Sequence, residues 1–128
     1  MAVEDGAVLG HLIGATVERL EKDKVRPSVK IERVRSALGL YEKLRKNRTT
    51  LNVKGAINNR NFYHMSDGPE QQERDSSLAK VDLVHGKSRW EWIDSKYQRD
   101  MLGFNAVEDA QAAFRDWWDA WERETSSV

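Results

Sequence analysis

Apolar side chains recur at three- and four-residue steps in three parts of the chain. The first stripe, within 7–23, consists of Leu9, Ile13, Val17 and Leu20, with Leu12 and Thr16 beside it. The second, within 29–46, consists of Ile31, Val34, Leu38 and Tyr41, widened by Ala37, Leu40 and Leu44. The third, within 106–123, consists of Val107, Ala110, Phe114, Trp117 and Trp121. Because this spacing places side chains on one helical face, it predicts three amphipathic helices.

Local signals indicate where these helices begin and end. Pro27 separates the first two, because the residue before a proline is pushed out of the helical region, and Ser28 can cap the second helix. Asn47 is expected to end that helix. Asn105 and Glu108 stand three residues apart, as in a capping box, and predict the start of the last helix.

The segment 47–104 shows alternation instead. Apolar and polar residues alternate at three places, which predicts short strands around Leu51 and Val53, around Val81 and Leu83, and around Trp90 and Trp92. Residues 97–104 can return as a further strand. The polar segment 66–77 contains an Asp-Gly-Pro turn and predicts a mobile loop. We therefore expect one α+β domain over 1–128. It comprises a helical pair at 7–46, a small antiparallel sheet within 47–104, and a C-terminal helix at 105–124 packed on the sheet.

The last helix contains three tryptophans within five residues. Trp117 and Trp121 share the apolar stripe and are predicted to be core residues. Trp118 lies about 100° around the helix from Trp117, at the margin of that stripe. With Arg115 and Glu122 as a mixed polar rim, Trp118 is predicted to contact a partner.

Charge and composition narrow the class of protein. Lys plus Arg and Asp plus Glu number 21 each, but residues 1–64 have a net charge of +6 and residues 65–128 of −6. This asymmetry favours a basic face for nucleic acid or a dipolar surface for a protein. The chain has no cysteine, and no apolar run is long enough to span a bilayer. Acidic residues precede its first apolar stretch, unlike a secretory signal, so we expect a cytoplasmic protein without membrane association.

A resemblance arises in 88–114, which reads SRWEWIDSKYQRDMLGFNAVEDAQAAF. It resembles the three-stranded sheet and helix of ethylene-response-factor domains and phage integrase arm-binding domains, which place the sheet in the major groove of DNA. The matching positions are Gly103, Phe104, Glu108, Asp109, Ala110, Ala113 and Phe114. The resemblance implies a DNA- or RNA-binding sheet at 80–103, with contacts from Arg89, Trp90, Trp92, Lys96 and Arg99. Glu91, Asp94 and Asp100 interrupt this basic set.

An enzymatic alternative uses some of the same residues. Asp82 and the Asp94-x-Lys96 triplet resemble the acidic pair and lysine of restriction-endonuclease-like nucleases. Carboxylates would hold Mg²⁺ against a phosphodiester while the lysine stabilises charge. This predicts a metal site at Asp82, Asp94 and Lys96 if the chain is a nuclease.

The three histidines show no metal-ligand spacing, and no glycine-rich phosphate loop follows a predicted strand. We therefore expect a non-catalytic binding protein that needs no cofactor. A protein partner is favoured over nucleic acid because the net charge is zero and the last helix is acidic. An inhibitor or adaptor, of the kind that phages also encode, fits this description, and a homodimer is compatible with it.

Overall fold

The computed structural model describes residues 1–126, and in them the chain forms five α-helices, a short 3-10 helix and no strand. The helices are α1 (Ala2–Lys22), α2 (Pro27–Tyr63), α3 (Pro69–Leu78), α4 (Ser95–Leu102) and α5 (Ala106–Ser126), and the 3-10 helix is Glu91–Ile93. The fold is helical, so the predicted α+β class and the predicted sheet are wrong.

All three helices predicted from apolar spacing are confirmed, as α1, the first part of α2, and α5. Their buried rows are offset from the predicted stripes. α1 buries Val8, Leu12, Thr16 and Leu20, and α5 buries Ala106, Ala110, Phe114 and Trp118. Both rows advance by four residues, which is the ridge that interdigitates when two helices pack. The packing of α1 on α5 therefore selects the row that is buried.

The described chain divides into two compact units. The first consists of residues 1–49 together with the segment from Asn105 onward, and its core is the contact between α1 and α5 with the first part of α2 beside it. The second is Thr50–Phe104. Whether the chain is a single domain over 1–128 stays a prediction.

The second unit contains the rest of α2, then α3, the 3-10 helix and α4. Residues 50–54, predicted to be an edge strand, lie inside α2, and Asn47 does not end that helix. The reason is that no proline occurs between Pro27 and Pro69, so a helix started by Pro27 has no strong breaker before that point. A five-residue alternation was too short to indicate a strand against that continuity.

Two further predictions in this unit are wrong. The segment 66–77, predicted to be a loop, contains most of α3, which begins at Pro69 directly after Gly68. A proline fits the first turn of a helix because the N–H that it lacks would have no partner within the helix. In 88–104, Trp90 immediately precedes the 3-10 helix and Trp92 lies within it, and the expected last strand is α4. The Asp94 carboxylate caps α4 by accepting hydrogen bonds from the backbone N–H of Lys96 and Tyr97, each at 3.0 Å. A sheet-based DNA-binding module is therefore absent from residues 1–126.

None of the helices described is both long and apolar enough to cross a membrane.

Candidate functional site

An aromatic cluster on α5 occupies the first unit. The side chains of Phe114, Trp117, Trp118 and Trp121 lie along one side of the helix because three- and four-residue steps return to the same face. Neighbouring ring centroids are 5.1 to 6.1 Å apart, and most pairs are tilted or edge-on, as aromatic pairs prefer.

Arg33 of α2 lies against this cluster. Its guanidinium carbon is 3.7 Å from the ring centroid of Trp117 and 4.4 Å from that of Trp121. One terminal nitrogen donates a hydrogen bond to the backbone carbonyl of Trp117 at 3.3 Å, while the buried Nε has no hydrogen-bond partner among residues 1–126. Burial lowers the pKa of the Arg33 guanidinium to about 10, although the charge of Glu124 opposes this change. The cation is thus held mainly by aromatic faces.

Trp118 is fully buried, at 0% exposure, whereas Trp117 and Trp121 are only partly buried. The prediction that Trp118 is the available indole is therefore wrong. It fails because Arg19 of α1, 5.2 Å from the Trp118 ring centroid, covers the helix side that looked marginal. The indole N–H donates to Glu122 at 2.5 Å, so Glu122 holds the tryptophan in place.

Arg115 and Glu122, the predicted rim, lie in different shallow depressions of this unit. Arg115 lines one with His11 and Glu18, and Glu122 lines another with Asp119 and Arg123. The predicted partner-binding set Trp118, Arg115 and Glu122 is therefore not brought together as one exposed patch.

A buried ionic group ties α1 to α2. Arg45, with a side chain only 5% exposed, donates to Asp5 at 2.7 Å and to Glu4 at 2.9 Å, and Arg48 donates to Glu4 at 3.4 Å. Burial opposes ionisation of Glu4, but the hydrogen bonds from Arg45 and Arg48 outweigh it and lower the pKa of this carboxyl group. For Arg45, burial is outweighed by Asp5 and Glu4, which raise its pKa. The group stabilises the first turn of α1.

The residues predicted to contact nucleic acid are engaged within the second unit. Arg89 pairs with Glu73 at 2.7 Å and lies over the Trp90 ring, and Lys96 pairs with Asp100. Arg99 donates to the backbone carbonyl of Val84 at 2.8 Å. Trp92 is 42% exposed. Because residues 80–103 contain no sheet to align these side chains, they do not form the predicted groove-binding surface.

The carboxylates predicted to hold a metal act as backbone caps. Asp82 accepts from the N–H groups of Val84 and His85, and Asp94 accepts from Ser88 in addition to its contacts with α4. Backbone hydrogen bonds, from His85 first for Asp82 and from Ser88 first for Asp94, lower the pKa of both carboxyl groups. Within residues 1–126, no three or more His, Cys, Asp or Glu side chains are grouped as metal ligands. The set Asp82, Asp94 and Lys96 is not such a group.

A pocket of about 430 Å³ lies in the second unit, between the end of α2 and the segment around Trp90. Its walls include Phe62, Met65, Trp90, Trp92 and Tyr97. The Phe62 and Trp90 rings meet edge-on with centroids 5.7 Å apart. A volume of this size is in the range of small-molecule sites.

Comparison with known proteins gives a partial match. The chain is similar to the FAD-dependent monooxygenase OpS4 of Beauveria bassiana (strain ARSEF 2860), with 30% identity over 112 residues. The match covers 88% of this chain but only 23% of that protein, so the chain spans less than a quarter of the relative's length. No protein-family model matches the chain, and no solved structure matches it.

Sequence reasoning missed Arg33, and it missed the pocket. A signal for Arg33 was present, because Arg33, Ala37, Leu44 and Arg48 follow four- and seven-residue steps along one face of α2. Arginines at both ends of a row that also contains a buried alanine indicate charges facing the core. For the pocket no comparable signal existed, since it depends on contacts between α2 and residues 89–97.

Proposed function

We propose that this chain forms the helical, non-catalytic module of an FAD-dependent monooxygenase and packs against a flavin-binding portion of that enzyme. The observation that supports this most strongly is the similarity to the Beauveria protein. Nearly the whole chain aligns, yet it aligns to less than a quarter of that monooxygenase. The proposal assigns flavin binding and oxygen chemistry to the part outside the match.

Apolar surface on the first unit supports a protein-packing role. On α1, Val3 is 87% exposed, and a Cβ added at Gly6, Gly10 or Gly14 would have no other group within 4 Å. These small residues recur every four positions and permit close approach of another helix or a backbone segment. On α2, Ile31 and Leu38 are 63% and 47% exposed and lie two turns apart on one side. Exposed apolar residues mark a protein-binding surface where they form a continuous patch, and the proposal requires these residues to form one with the flavin-binding portion.

In this proposal the expected protein partner is the flavin-binding portion of the enzyme. An independent inhibitor or adaptor stays an untested prediction, and no feature of the fold favours it over the enzyme module. A chain without cysteine fits a reducing compartment, so we place this module in the cytoplasm.

A segment exchange tests the proposal. The 112-residue matched segment of the Beauveria monooxygenase is replaced by the corresponding segment of this chain, and bound flavin and O₂ consumption are measured on the purified chimera. We expect the chimera to retain flavin. A control chimera with Ile31→Glu and Leu38→Glu, which place charges on the exposed apolar side of α2, should lose much of it. A Lys43→Glu chimera, which makes the same change in net charge at an exposed position about 120° around α2 from Ile31, is the matched charge control.

Two results would contradict the proposal. One is a soluble, helical chimera that holds no flavin while the Beauveria parent holds it under the same conditions. The other is stoichiometric FAD binding by the 128-residue chain alone, because the flavin site would then lie in this segment rather than beside it.

A further inference from the structure

Two residues that line the pocket of the second unit each contain a buried polar atom without a partner among residues 1–126. The Trp90 indole nitrogen Nε1 and the Asn59 side-chain oxygen Oδ1 are both buried, and neither has a hydrogen-bond partner within residues 1–126. Both residues line the same pocket. A buried donor or acceptor without a partner costs about 1–3 kcal/mol, so such groups call for an explanation. Here the donor and the acceptor belong to two residues that border one cavity.

The walls around these atoms are aromatic. Phe62 is buried and contacts the Trp90 ring, while Trp92 and Tyr97 line the same space. Gly55 leaves room for the Tyr97 hydroxyl, because a Cβ at this position would clash with it. Flat apolar walls favour a flat apolar ligand, because ring contacts as well as burial of apolar surface contribute to its binding free energy.

The charged groups at the rim already have protein partners. Arg89 pairs with Glu73 at 2.7 Å, and Glu91 accepts a hydrogen bond from the Asn58 amide at 2.7 Å. Glu70, which also lines the pocket, lies 3.9 Å from Arg89. A ligand anion would therefore meet two carboxylates and an arginine that is already neutralised. This arrangement favours an uncharged ligand.

We propose that this pocket binds a small, uncharged, planar aromatic compound with a hydrogen-bond acceptor and a donor on one edge. The acceptor would take the Trp90 N–H, and the donor would reach the Asn59 oxygen. Aromatic primary amides and nucleobases share this chemistry. The inference rests on the second unit alone and is independent of the proposed monooxygenase role.

The test uses the full chain labelled with ¹⁵N, in which the Trp90 indole N–H signal is assigned from its loss in Trp90→Phe. Benzamide and adenine are the two probes that carry both groups. Benzoate replaces the amide by a charge, and cyclohexanecarboxamide removes the flat ring. We expect benzamide or adenine to shift the Trp90 signal saturably, and both controls to bind at least tenfold more weakly. Which probe binds more tightly distinguishes a simple amide from a nucleobase.

Two variants test the hydrogen bonds. Trp90→Phe keeps an aromatic wall but removes the donor, and Asn59→Ala removes the acceptor. Each is expected to weaken binding of the better probe by about five- to tenfold, the value of one lost neutral hydrogen bond, with the amide signals of residues near Phe62 as the readout. Trp121→Phe and Asn47→Ala, in the first unit, are the matched controls and should leave the affinity unchanged.

The proposal is overturned if neither benzamide nor adenine shifts the Trp90 signal at millimolar concentration. It is also overturned if the charged or non-planar control binds as tightly as the probes. Should Trp90→Phe fail to fold, the probe panel on the wild-type chain and the Asn59→Ala variant still decide the question.

Discussion

Replacing Trp118 by alanine is the sharpest test of how the first unit is held together. The indole is 0% exposed, and its ring centroid lies 5.1 Å from that of Trp121 and 5.7 Å from that of Phe114. Removing a buried tryptophan from a core costs about 3–5 kcal/mol. The loss of the ring contacts and of the hydrogen bond to Glu122 places this substitution toward the upper end of that range.

A loss of about 4 kcal/mol corresponds to a fall in Tm of roughly 16–32 °C for a cooperative domain of about 60–100 residues, the size range of the first unit. Differential scanning calorimetry gives the Tm, and pulse proteolysis in urea gives the free energy of unfolding. The matched control is Trp121→Ala in the same helix, where the indole is only partly buried and about 1–2 kcal/mol is expected. The reasoning is refuted if Trp118→Ala costs no more than Trp121→Ala, because Trp118 would then not be the centre of the core.

Three further predictions concern single contacts. Glu4→Gln should lower the free energy of unfolding by about 1 kcal/mol at pH 7. Because the pKa of Glu4 is lower in the folded state than its ordinary value of 4.5, the difference between the two proteins should disappear as the pH falls from 4.5 through the folded pKa. An equal difference at pH 2 and pH 7 would contradict this prediction. Asp94→Ala should destabilise the protein as a lost helix cap, while Asp94→Asn, which keeps an acceptor oxygen, should destabilise it less; calorimetry that finds no difference between the two would count against the cap. Gly55→Ala should destabilise the chain by about 1–3 kcal/mol, because the added methyl group would meet the Tyr97 hydroxyl. Gly10→Ala, where the added methyl group has open space, should instead stabilise α1 by about 0.5–1 kcal/mol. Urea midpoints that move in the same direction for both variants would contradict this account.

Sequence reasoning recovered the helices whose apolar spacing is long and regular. It located α1, the first part of α2, and α5, including the Asn105 cap, whose side-chain oxygen accepts from Val107 and Glu108 at 3.2 Å. It failed in 47–104, where each alternating run was only a few residues long. So short an alternation of apolar and polar residues occurs both in strands and in helices without a single apolar face, and only tertiary contacts determine which of the two forms.

The candidate site was less predictable than the helices for a related reason. Trp117 and Trp118 are adjacent, so the apolar stripe of α5 can be drawn through either one. What decides between them is the packing of α1 on α5, in which Arg19 covers the Trp118 ring. Local periodicity contains no information about these long-range partners. The pocket donor Trp90 likewise depends on a contact with α2.

The tryptophan cluster also has an optical consequence. The rings of Trp118 and Trp121 are 5.1 Å apart with their planes inclined by 68°. Two identical chromophores at that separation couple their excited states, and we expect an exciton couplet in far-ultraviolet circular dichroism. The ellipticity of this protein is therefore a sum of peptide and indole contributions, and its helix content cannot be read from the helix band alone. Excitation energy also passes among Trp117, Trp118 and Trp121, so the three are expected to emit as one fluorophore that reports on the state of α5.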